Sequence, residues 1–94
     1  MIKIAVLKVK LYASWVHSLK EKRMIIKSLM AKIRNKFQVS VAEVEDQDIH
    51  QSMVIGIAAI VPHSAQADHL MDEIVNFIEQ STEAEIMAEE RELR

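Results

Sequence analysis

Apolar and polar positions alternate from residue 2 to residue 12. Ile2, Ile4, Val6, Lys8 and Lys10 fall on one side, and Lys3, Ala5, Leu7, Val9 and Leu11 on the other. A period of two with β-branched residues predicts a strand. Tyr12 to His17 then reads as a loop. Over residues 19–36 the period becomes helical. Leu19, Ile26, Leu29, Met30, Ile33 and Phe37 share one sector when each residue turns by about 100°. Ser18 is a good N-cap, and Glu21 three residues later completes an S-x-x-E capping box. Residues 37–46 (FQVSVAEVED) return to period two, with Phe37, Val39 and Val41 on one face. The apolar face then shifts to Ala42 and Val44, the mark of a bulge. After a polar turn at Asp46–Gln51, residues 52–61 (SMVIGIAAIV) are apolar on both faces, as in a central strand. Pro62 ends that strand. Ser64 is placed to cap a second helix, whose stripe is Ala67, Leu70, Met71, Ile74, Phe77 and Ile78. Residues 83–93 alternate weakly, with Ala84, Ile86 and Ala88 against Glu85, Met87 and Glu89. They predict an edge strand guarded by its acids.

The order β-α-β-β-α-β, with right-handed crossovers, predicts an α+β ferredoxin-like sandwich. Residues 1–94 form one domain, a four-stranded antiparallel sheet with both helices on one face. Its central strands are residues 2–12 and 52–61. The other sheet face stays open and carries apolar residues of the third strand. A large exposed apolar patch is unusual on a monomer, so a homo-oligomer is expected through that face or an edge.

Composition supports a folded chain: 50% of its 94 residues are hydrophobic, with one glycine and one proline, too apolar and too poor in breakers for disorder. No cysteine is present, which excludes disulfides, thiol nucleophiles and cysteine-based metal sites. The apolar N-terminus is interrupted by lysines and reads neither as a signal peptide nor as a membrane span. A cytoplasmic protein with no membrane partner is expected. The formal net charge of −2 hides an asymmetry. Residues 1–36 hold ten Lys/Arg against one acid, a net of +9, and residues 37–94 hold two Lys/Arg against thirteen acids, a net of −11. Such a split marks either a polyanion-binding half or two halves that neutralise each other.

Catalytic motifs are missing. The sequence has no G-x-S-x-G, no phosphate-binding glycine loop and no H-E-x-x-H. Gly56, inside a strand, marks close packing or a bulge. Asp46, Asp48 and His50 have a spacing that could ligate a metal. No further ligand is fixed by spacing, and acidic hairpin loops commonly serve solubility, so neither a metal site nor a cofactor is expected. His17, His63 and His69 suit surface or capping roles. Trp15 is expected to fold over the end of the core.

The remaining chemistry is on the first helix. With Ile26 at 0°, Arg23, Arg34, Lys27 and Lys20 lie between about 60° and 120° on the helical wheel, one stripe beside the apolar face. Lys32 and Lys36 lie on the other flank. Lys22, near 320° by the same arithmetic, lies in the apolar sector itself, and its ammonium must snorkel out or find an acid. Lys20, Lys22, Arg23, Lys27 and Arg34 are the candidate contacts for phosphate or RNA. The alternative is a solvated amphipathic helix bordered by lysines. Base stacking on the sheet is not expected, because IKIAVLKVKL and SMVIGIAAIV contain no aromatic residue.

The blocks SLKEKR, IRNKFQVSVAEVEDQD and IGIAAIV together resemble the YlxP-like family of small bacterial proteins, a domain of unknown function, over nearly the whole chain. The chain departs from that pattern at His50, where relatives carry Trp, and in the loop YASWVH. The resemblance implies the same ferredoxin-like fold. It also implies a cytoplasmic protein often encoded among translation and ribosome-maturation genes, and it implies no catalytic residues. The expected function is a non-enzymatic accessory protein that contacts RNA or the ribosome through the basic first helix. The alternative is a homo-oligomeric structural or regulatory module that binds protein or a small ligand.

Overall fold

The computed structural model describes residues 2–94. Its elements run β1 (Lys3–Tyr12), α1 (Leu19–Lys36), β2 (Ser40–Glu45), β3 (Ser52–Val61), α2 (Ser64–Ser81) and β4 (Glu85–Leu93). The strands form one antiparallel sheet in the order β2-β3-β1-β4. This is the ferredoxin-like α+β arrangement, with the two most apolar strands at the centre.

Both helices cover one sheet face. Ala5, Leu7, Val9 and Leu11 of β1 and Met53, Ile55, Ile57 and Val61 of β3 point to them and are buried. The pairs Leu7↔Ile57 and Val9↔Ile55 place these side chains in shared rows. Ile26, Leu29 and Ile33 of α1 and Ala67, Met71, Ile74 and Ile78 of α2 close the core from above. Phe37 and Phe77 meet edge to face, with ring centroids 5.6 Å apart, and seal the far end of the helix pair.

Local chemistry sets the element ends. Ser18 accepts a hydrogen bond from the Glu21 amide at 3.1 Å, as the capping pattern predicts. The Glu21 carboxylate, however, accepts from the amide of His17 at 3.0 Å, one residue before the cap. The cap of α2 is His63 rather than Ser64. Its Nδ1 accepts from the Gln66 amide, and Ser64 is the first helical residue.

Two bulges correct the simple alternation. On β2 the register shifts between Glu43 and Glu45, so Val44 is the extra residue, close to the shift seen in the sequence pattern. On β4 a shift at Lys10/Leu11 makes Met87 the extra residue. Ile86 therefore pairs on the helix side with Leu11, while Ala88 pairs with Lys10 on the open side. Ala84, Ile86 and Ala88 do not share one face. Gly56 answers to the β2 bulge. A Cβ there would stand 2.8 Å from Val44 Cγ1, so its absence lets Val44 lie over β3.

Candidate nucleic-acid interface

The flank of α1 beside its buried face borders the edge strand β2. Lys20, Arg23, Lys27 and Arg34 are all exposed there, as helical spacing requires. From Lys20 to Arg34 the stripe runs about 21 Å at 1.5 Å per residue. Among the described residues, none of these four has a carboxylate oxygen within 4.0 Å. Arg34 makes one backbone contact: its Nη2 donates to the carbonyl of Val41 on β2 at 3.0 Å. That bond fixes the lower end of the stripe against the sheet edge and leaves other guanidinium donors free.

Lys22 has a different fate. It is the one buried charged residue of the described chain, with 0% of its surface exposed. Its ammonium donates to the carbonyl of Asp46 and lies 3.1 Å from Glu43 Oε2. The second contact is an ion pair without hydrogen-bond alignment, and Glu43 Oε2 accepts no hydrogen bond. Of the two outcomes the helical wheel left open, the lysine has found an acid, and it offers no cation to solvent. It ties α1 to β2 and to the turn after it, where Asp46 adopts a left-handed backbone (φ 58°). Aspartate tolerates that region better than most residues.

Two further lysines of the first half are paired, Lys8 and Lys10. Lys8, on the open sheet face, pairs with Glu45 and Glu90, the latter at 3.3 Å. The Glu45 hydrogen bond, then that of Glu90, raises its ammonium above the ordinary lysine range. Lys10 faces Asp46 at 3.9 Å. The acidic half of the chain therefore neutralises Lys8, Lys10 and the buried Lys22, and among the described residues it does not reach the stripe of α1. On the opposite edge of the sheet, Arg91 bridges to Asp72 of α2 at 2.7 Å. The rest of that edge is dominated by the glutamates of β4.

The loop residues Asp46, Asp48 and His50 do not converge. Asp46 accepts from the Ser52 hydroxyl at 2.7 Å, while Asp48 and His50 point outward. Among the described residues no group of three potential metal ligands gathers. Trp15 is 39% exposed. It covers one end of a groove of about 370 Å³ between α1 and the end of α2, beside Met24, Ile25 and Leu29. Strand β1 extends one residue past the aromatic-free stretch. Tyr12 closes it on the open face, exposed, its hydroxyl donating to Gln51. One aromatic at the sheet's end, beside lysines already paired, makes no stacking platform. Among the described residues, no helix is long and apolar enough to cross a membrane.

Comparison with known proteins agrees with this geometry at the level of family. The chain is 37% identical over 68 residues to the uncharacterized protein YlxP of Bacillus subtilis (strain 168), covering 72% of this chain and 74% of that protein. Among solved structures, it is similar to a mutant of SnoaB, a cofactor-independent oxygenase from Streptomyces nogalater. That likeness has a TM-score of 0.46 at 10% identity and covers 98% of this chain and 90% of that one. It is also similar to the de novo designed protein Ferredog-Diesel, with a TM-score of 0.42 at 6% identity, covering 97% and 83% of the two chains. Both structural likenesses are remote and lend no activity to this chain. The family model for "Protein of unknown function (DUF503)" matches residues 4–91, and the chain belongs to that family.

Proposed function

We propose that the chain is a non-catalytic, cytoplasmic RNA-binding accessory protein that grips phosphates with Lys20, Arg23, Lys27 and Arg34. One observation carries this reading. These four cations stand exposed on one side of α1 with no carboxylate partner among the described residues, in a chain whose net charge is negative. Cations near the start of a helix oppose its dipole by about 0.3–1 kcal/mol each. An anionic partner reverses that cost. Lys22 is left out of the interface, since its ammonium is enclosed by Glu43 and Asp46.

The chemistry fits backbone contact rather than base reading. A convex helix side with lysines and arginines recognises phosphate position and helix shape. The ribosome is the RNA to try first, in line with the gene neighbourhood that the family resemblance implies. The test is cosedimentation of the protein with purified ribosomal subunits at low and high salt. Association at low salt that is lost at high salt is expected. Absence of association at low salt, or association indifferent to changing Lys20, Arg23 and Lys27 to glutamate, overturns the reading.

A further inference from the structure

Among the described residues, no helix covers the second face of the sheet, on the side away from the basic α1. Exposed apolar side chains collect there. At one end Ile60 is 73% exposed and Ile4 42%, and Val44, 44% exposed, lies over Gly56 near the middle. At the other end of the face, Tyr12, Ile49 and Met87 ring a further hollow of about 530 Å³. Between these ends the charges already balance in part, through Lys8 with Glu45 and Glu90. Val54 lies beneath them, 1% exposed although no helix covers it. A face with an internally paired centre and apolar ends can be desolvated at lower cost than one with free charges.

We infer that this face binds a second copy of the same chain, sheet to sheet, in a two-fold dimer. Size is the first argument. Four strands about 4.8 Å apart, with strands of up to ~10 residues at ~3.3 Å each, give a flat footprint of roughly 600 Å². The accessible area of such a corrugated face is larger, close to the ~800 Å² per partner of a stable interface.

Self-complementarity is the second argument. Aligned sheets pack about 10 Å apart, with strands within about 30° of each other. A two-fold axis along the strands, midway between β1 and β3, sets β1 of each copy over β3 of the other and β2 over β4. Residues that share a row in one sheet then face each other across the interface. The pair Ile4↔Ile60 meets its own image, and Val6 meets the small Ala58. Glu45 of one copy meets Ala88 of the other, and the neighbouring residue in that row is Lys10. Lys10, held only at 3.9 Å from Asp46, thus gains a second carboxylate. Apolar meets apolar at Ile4 and Ile60, Val6 has the small Ala58 opposite it, and a loosely held cation finds an anion. The helices, and the basic stripe, remain on the outside of such a dimer, so the two surfaces are independent.

Sedimentation equilibrium of the full chain, from ~1 μM to ~1 mM, spans the dissociation constants such an interface gives. The expected mass rises to twice the 10.8 kDa of one chain and stops there. Ile60→Asp places an unpaired charge at the apolar end and is expected to raise the dimer dissociation constant at least ~tenfold. Ile60 is outside the helix-covered core, so the variant keeps the wild-type far-ultraviolet circular dichroism; Ile4→Lys on the adjacent strand provides a second disruption. Met24→Asp, on the helix side, is expected to leave the dimer unchanged. A constant monomer mass, a mass that keeps growing through edge-to-edge pairing, or dissociation by Met24→Asp but not by Ile60→Asp overturns the inference.

Discussion

Lys22 occupies the position a hydrophobic residue would normally take, and its environment dictates what its removal does. Its ammonium, the Glu43 carboxylate and the Asp46 carbonyl form a buried polar knot between α1 and β2. Lys22→Met deletes the cation but leaves the carboxylate, whose side chain is only 18% exposed. Breaking such a pair costs 3–5 kcal/mol in buried settings, and Glu43's residual exposure puts this one near ~3 kcal/mol. Urea unfolding should show that loss, and Lys22→Met with Glu43→Leu should recover most of it. The helical wheel made legible that Lys22 must snorkel out or find an acid. Which acid was not legible, because the Val44 bulge decides how β2 presents its carboxylates. Gly56 is the matching case for close approach. Gly56→Ala gains ~0.5–1 kcal/mol of chain entropy in the strand but pushes a Cβ into a stiff Val44 side chain. With overpacking at ~1–3 kcal/mol, a net loss near ~1 kcal/mol is expected. The loss should shrink in a Val44→Ala background, as measured by a double-mutant cycle.

At the scale of elements, α1 was the most legible part of the chain. Its start follows from Ser18 and its buried stripe from the 3.6-residue period, and both ends agree with the sequence pattern. Ser18→Ala removes the acceptor for the Glu21 amide and should cost ~1 kcal/mol, read from the thermal midpoint. The second helix shows where pattern reading slips. Ser64 has the chemistry of a cap, but the imidazole of His63 does the capping one residue earlier. A side-chain acceptor at either position suffices, and sequence alone does not rank them. In β4, alternation suggested one apolar face through Ala84, Ile86 and Ala88. The extra residue Met87 breaks that phase, because β4 bulges where β1 turns from Lys10 to Leu11. Weak alternation among glutamates carries too little apolar signal to reveal a bulge. The fold survived these local errors because the central strands were specified by strong apolar runs, and the helices by well-spaced stripes.

Over the whole molecule, the charge split between the two halves of the sequence resolves into two different things. Part of it is internal: Lys8, Lys10 and the buried Lys22 meet Glu43, Glu45, Asp46 and Glu90. Most of the rest lies on α1, where the exposed stripe from Lys20 to Arg34, among the described residues, meets no carboxylate. The sequence displayed the stripe but not its surroundings, since only the folded chain tells a covered cation from a free one. Salt dependence of RNA affinity tests the central claim most directly. Fluorescence anisotropy with a labelled ribosomal RNA fragment gives the affinity of the wild type and of the Lys20→Glu, Arg23→Glu, Lys27→Glu triple variant between 50 and 200 mM salt. Four phosphate contacts on a duplex region of that RNA, with a slope near that of duplex DNA, predict a wild-type loss of roughly 150-fold over that range, against a much shallower slope for the variant. Equal affinities and equal slopes for the two proteins would contradict the account.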